Sequence, residues 1–90
     1  MYIYLIENKK DGKKYIGQTN NPIRRKAQHW YEALKRGRKD KLHTAIREEG
    51  KENFVFTVLK RVSKIFVNIA ERDYIRHYNC IEEGYNTKKG

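Results

Sequence analysis

Two kinds of apolar spacing follow one another along this chain. Tyr2 to Ile6 and Lys14 to Gly17 are rich in β-forming residues, and Lys10-Asp11-Gly12 between them supplies the positive backbone angles of a tight reversal, so the chain opens as a predicted β-hairpin. The period then changes. Asn21 can cap a helix with Pro22 in its first turn, and Ile23, Ala27, Trp30 and Leu34 recur at helical spacing as one apolar stripe before Gly37. Asp40 can cap a second, shorter helix whose Leu42, Ala45 and Ile46 face inward and which Gly50 ends. Asn53 to Val62 alternates bulky β-formers and predicts a third strand beside the hairpin, apolar on both faces at its centre. From Ser63 a third helix is expected to run to about Asn79, with Val67, Ala70, Tyr74 and Tyr78 on one side. The order β-β-α-α-β-α describes an α+β domain, a small antiparallel sheet flanked by helices, spanning residues 1–90 as one unit. No glycine-rich parallel crossover suited to a nucleotide is present in the sequence.

Charge narrows the class of partner. Lys and Arg number 21 against 11 Asp and Glu, a net charge of +10 with a pI near 9.8, the electrostatic footprint of a protein that meets a polyanion. Nucleic acid is the default expectation, with an anionic lipid surface or plain solubility as the alternatives. Cys80 is the only cysteine, which excludes an internal disulfide and a thiolate zinc cluster and fits a buried spectator thiol in a reducing, cytoplasmic or nucleoid-associated setting. The apolar opening reaches charge at Glu7, too soon for a signal peptide or a membrane span. The polar end Asn86-Thr87-Lys88-Lys89-Gly90 is the one hint of a larger parent protein.

Several side chains have candidate chemistry. Tyr4 and Tyr15 lie on the two hairpin strands, where a simple turn brings them close, although tyrosine is also an ordinary strand residue. Arg25 and His29, four apart, share the helical face opposite the predicted apolar stripe. That face is either solvated surface or the side that meets a phosphate, the Arg fork gripping its oxygens and the His moving a proton. Arg24, Lys26, Lys35, Arg36 and Arg38 would extend a phosphate-binding rim. Glu71 falls within the arc of Val67, Ile75 and Tyr78 on the third helix, where a carboxylate is costly unless it is paired or holds a cation. The two readings are a buried salt bridge and an oxygen ligand for one Mg²⁺ or Mn²⁺ ion, which binds through one or two carboxylates plus phosphate oxygens. His29, His43 and His77 sit on separate stretches without zinc-type spacing.

Taken together and in order, these residues resemble the GIY-YIG nuclease family. Tyr2-Ile3-Tyr4 stands where the family has its first triplet, with Tyr2 in place of glycine, and Tyr15-Ile16-Gly17 matches the second. Arg25 and His29 follow at family spacing, then Asn53-Phe54 opening a strand, Glu71 four residues before Ile75, and Gly84-Tyr85-Asn86. The resemblance runs from Tyr2 to Asn86. It implies a core with a three-stranded antiparallel sheet that hydrolyses DNA phosphodiesters with one divalent ion: Glu71 binding the ion, Arg25 countering charge on the phosphoryl group, and Tyr4, Tyr15 and His29 orienting or deprotonating water. Asn86 would support the site. Members often carry a further basic residue after the first helix, for which Lys39 and Lys41 are the nearest candidates. The family's homing, restriction and repair enzymes usually borrow specificity from an attached or separate DNA-recognition domain. One site with one ion implies nicking by a monomer, with a transient dimer on DNA as the route to double-strand breaks; the alternative is a catalytically inactive nucleic-acid-binding module of the same fold.

Overall fold

The computed structural model describes residues 1–87, so Lys88, Lys89 and Gly90 of the polar tail lie outside the described residues. Strands β1 (Tyr2–Asn8) and β2 (Lys14–Thr19) are followed by helices α1 (Pro22–Leu34) and α2 (Lys41–Glu49), a single 3-10 turn over Lys51–Asn53, strand β3 (Phe54–Arg61) and helix α3 (Val67–His77). The order is the expected one. β1 and β2 form the hairpin in the register Tyr4↔Gly17 and Glu7↔Lys14, and Gly12 takes a φ of +76° in the reversal. β3 returns antiparallel to the other side of β1, giving the strand order β2-β1-β3 with a register shift between Ile3 and Tyr4.

Because β1 is central, both of its faces are covered, and its alternating side chains supply two separate cores. Tyr4 and Ile6 pack with Ala33 of α1, Leu42, Ala45 and Ile46 of α2, Phe54 and Tyr85. Ile3 and Leu5 pack with Ile16, Val67 of α3 and Cys80. Cys80 is the buried thiol expected, its pKa pushed up to about 11 by that burial. No helix of the described residues is long and apolar enough to cross a membrane.

Caps and turn residues behave as the sequence predicts at the first two helices. The Asn21 side chain accepts from the Arg24 amide, Pro22 opens α1, Asp40 accepts from the His43 amide, and Gly50 ends α2 at a φ of +92°. The hairpin strands run two residues further than expected, to Asn8 and Thr19, β3 ends one residue earlier, at Arg61, and three other boundaries differ. Asn53 belongs to the 3-10 turn rather than to β3; residues 63–66 form a turn before α3; and α3 stops at His77, with Asn79 at a φ of +54° after it.

The larger correction concerns α1. Its predicted apolar stripe faces outward: Ile23 is 86% and Leu34 44% exposed, Ala27 is exposed and Trp30 only half-buried. The inner face is Arg25, His29 and Ala33, four apart, with His29 and Ala33 buried. A buried histidine is tolerated there because both of its ring nitrogens find partners.

Candidate active site

A cleft of about 220 Å³ opens beside β2, lined by Tyr15, by Arg25 and His29 of α1, by Arg38, Asp40 and His43, by Glu71 and Ile75 of α3, and by the segment Tyr85 to Thr87. Three elements thus deliver the motif residues to one place. Tyr4 forms the buried wall behind them, stacked on Phe56 at 4.8 Å between ring centroids. Its phenol lies across Gly17, its pairing partner on β2, where a Cβ would overlap the ring and hydroxyl. The glycine of Tyr15-Ile16-Gly17 is therefore required by the tyrosine of the first triplet.

At the Tyr4 hydroxyl, Arg25 Nε donates across 3.2 Å and His29 Nε2 lies at 2.7 Å. The His29 ring stands edge-on to both Tyr4 and Tyr15, with centroids at 5.7 and 5.6 Å. Arg25 also donates to Gln28 Oε1, at 2.8 Å, which orients the guanidinium. His29 Nδ1 meets His43 Nε2 at 3.0 Å; His43 Nδ1 in turn meets Asp40 Oδ1 at 2.6 Å, and Arg38 Nε holds Asp40 Oδ2 at 2.7 Å. Arg38 thus lies in the cleft wall as part of this chain of contacts.

These environments set the protonation states. Burial, with Tyr15 alongside, raises the Tyr4 phenol well above its ordinary range despite the opposing Arg25. Burial likewise raises Tyr15, helped by Glu71 and opposed by Arg25. His29 is held neutral, lowered to about 3 by burial, by Arg25 and by His43. At Asp40, burial pushes upward but is outweighed by the His43 amide and ring and by Arg38, leaving the carboxyl below its usual value. For Arg25 burial pushes downward but is outweighed by the hydrogen bonds and charge of Tyr4 and Tyr15 together, which strengthen its hold on a proton.

Glu71 is half-buried on α3, and Gln18 Nε2 donates to its Oε1 at 3.0 Å. Among the described residues no ion pair includes Glu71, so the buried salt bridge weighed from its helical angle is not formed. No group of three or more His, Cys, Asp or Glu among the described residues is arranged to hold a metal. His29 and His43 do meet, but as partners of one another.

Asn86 lines the cleft, and both ends of its side-chain amide are engaged by β2. Its Oδ1 accepts from the Ile16 amide and its Nδ2 donates to the Ile16 carbonyl, both at 2.9 Å, while the Tyr85 amide donates to the Lys14 carbonyl at 2.9 Å. The segment thereby closes the outer edge of β2 and fixes Tyr15. Gly84 permits the approach, since a Cβ there would overlap the Lys14 and Cys80 carbonyl oxygens.

The basic rim is only partly gathered. Arg24, Lys26, Lys35 and Arg36 are exposed and do not line the cleft, whereas Lys39 and Lys41 line a second depression together with Asp11, Glu48, Glu49, Glu82 and Glu83. Reading the sequence missed Asp40, His43 and Gln18. The signal for His43 was its place beside Leu42 and Ala45 on the inward arc of α2, three residues after the cap.

Comparison with known proteins agrees with this geometry. The GIY-YIG catalytic domain model matches residues 1–86. The MSV199 domain-containing protein 146R of Invertebrate iridescent virus 6 is 34% identical over 84 residues, covering 89% of this chain and 34% of that protein. The chain thus spans about a third of this curated relative. Among solved structures, the catalytic domain of the homing endonuclease I-TevI superposes with a TM-score of 0.87 at 22% identity, over 99% of this chain and all of that one. A glutamate-to-alanine variant of the I-TevI catalytic domain superposes with a TM-score of 0.84 at 24% identity, over 96% of this chain and 93% of that one. With its two tyrosine triplets paired across one hairpin and the family pattern continuing to Asn86, the chain belongs to the GIY-YIG family, whose catalytic-domain model it matches.

Proposed function

We propose that this domain is a metal-dependent endonuclease that hydrolyses DNA phosphodiester bonds one strand at a time, acting as a monomer. The observation that carries the reading is the convergence of Arg25, His29, Tyr15 and Glu71 on one cleft from β2, α1 and α3, with Tyr4 of β1 buried behind them in contact with His29 and Arg25. Arg25 offers a charge-assisted fork to the phosphoryl oxygens and strengthens as negative charge grows on them. The Tyr4 hydroxyl, accepting from Arg25 and set against His29, is built to move a proton, and Tyr15 on the cleft wall orients the attacking water. Because both phenols are raised, neither acts as a preformed tyrosinate; the water proton passes to the phenol oxygen as the phenol gives up its own. Hydroxide adds to phosphorus, the bond to the leaving oxygen breaks, and that oxygen takes a proton from solvent.

The donor set suits a hard cation: a single half-buried carboxylate without a cationic partner among the described residues fits an Mg²⁺ or Mn²⁺ ion that keeps most of its waters. Glu71 would hold it, and the ion would supply Lewis-acid stabilisation of phosphoryl charge. The +10 charge supports DNA as the substrate, and sequence preference would come from a separate or attached recognition domain.

The test is cleavage of supercoiled plasmid with Mg²⁺, with Mn²⁺ and with EDTA. Nicked circle that appears before linear product, and only with metal, is the expected result. DNA that is bound and left intact under every metal condition favours the inactive binding module instead, and linear product with no nicked precursor removes the monomer mechanism.

A further inference from the structure

The chain of hydrogen bonds does not stop at His29. It continues to His43 and ends on Asp40, and its chemistry permits only one direction in the neutral state. A carboxylate accepts, so His43 Nδ1 carries the hydrogen that meets Asp40 Oδ1 at 2.6 Å. The other nitrogen of a neutral His43 is then an acceptor, so His29 Nδ1 donates to it across 3.0 Å. That leaves His29 Nε2 as the acceptor facing the Tyr4 hydroxyl, which donates at 2.7 Å while its oxygen accepts from Arg25.

We propose that Asp40 and His43 are positioning residues for the nuclease reaction, fixing His29 in the tautomer that accepts from Tyr4 and taking the proton that leaves it. This rests on the nuclease reading above. The step balances as a reversal of the chain: Tyr4 receives the water proton and passes its own to His29 Nε2, and His29 releases its Nδ1 proton to His43 Nε2. His43 becomes an imidazolium against the Asp40 carboxylate, and His29, now protonated on Nε2, donates back to Tyr4. Each contact remains a hydrogen bond before and after, so no buried group is orphaned at either stage.

The location of the charge follows from what surrounds each ring. His29 is 1% exposed and stands beside Arg25, which makes it a poor place to leave a proton. His43 lines the cleft and touches a carboxylate. Capping alone does not require a carboxylate, since Asn or Ser caps as well. Arg38 holds the second carboxylate oxygen and keeps Oδ1 aimed at the ring.

Two measurements on the whole 90-residue chain test this. Imidazole ¹⁵N shifts of the wild type should show both His29 and His43 protonated on Nδ1 at neutral pH; His29 protonated on Nε2 overturns the relay whatever the variants do. Single-turnover cleavage and DNA binding of His43→Phe and Asp40→Asn should show the rate falling about 10- to 100-fold, the size expected for loss of an orienting partner, with DNA affinity unchanged. Asp40→Asn keeps the helix cap and stands as the folded comparison if His43→Phe melts early. If wild type cuts, Arg25→Ala does not, and both relay variants cut at the wild-type rate, the relay is wrong and the nuclease stands. A wild type that cuts nothing overturns both.

Discussion

His29 shows how burying one side chain makes the stability of the fold depend on pH. Fully buried between Tyr4 and His43, it stays neutral in the folded protein down to about pH 3, whereas the unfolded chain takes up a proton near the ordinary histidine value of 6.5. Its contribution is therefore complete above about pH 6.5 and is lost as pH falls from there toward 3, because the unfolded state then binds the additional proton. Urea titrations between pH 7 and 4 should show stability falling by on the order of a few kcal/mol from this group, with the slope reduced in His29→Gln. An identical slope in the variant contradicts the neutral buried ring. Neighbouring positions are constrained in the same way: Gly17 has no side chain because the Tyr4 phenol occupies that space, so the two triplets form one packing unit.

At the scale of elements, how much the sequence reveals depends on whether burial follows hydrophobicity. The hairpin, the capped starts of α1 and α2 and the arc of α3 were legible because propensity, caps and apolar period agree there. α1 was legible as a helix but not as an oriented one. Its apolar residues Ile23 and Leu34 face outward, and Arg25 and His29 face inward because contacts from β1 and α2 satisfy them, and such contacts leave no mark in a periodicity. The pairing of His29 with His43 was hidden for the same reason, since fourteen residues and a loop separate them. Asn86, expected from the family resemblance to support the site, binds the backbone of β2. Asn86→Ala leaves the buried Ile16 amide and carbonyl without those partners, at a cost of about 1 to 3 kcal/mol per orphaned group. Thermal melts should fall accordingly, and amide exchange at Ile16 should accelerate; unchanged protection would show that the edge is held by other contacts.

Across the whole molecule, the cleft exists because helices cover both faces of a three-stranded sheet and each brings side chains to its β2 edge. α1 brings Arg25 and His29 from one face, α3 brings Glu71 from the other, and Tyr15 stands on the strand between them. The excess positive charge surrounds this cleft unevenly, Arg38 being in its wall while Arg24, Lys26, Lys35 and Arg36 lie outside it. Glu71 is where the functional account and a purely structural one part most sharply. A carboxylate that holds an ion lends little to the fold, whereas one that secures the core cannot be neutralised without loss. Glu71→Gln preserves shape and an oxygen to accept from Gln18, so the most direct measurement is its Mg²⁺-dependent plasmid cleavage beside its thermal melt. The account predicts that cutting is lost while the melting temperature stays level or rises; cutting retained at the wild-type rate, or a melt that collapses, contradicts it.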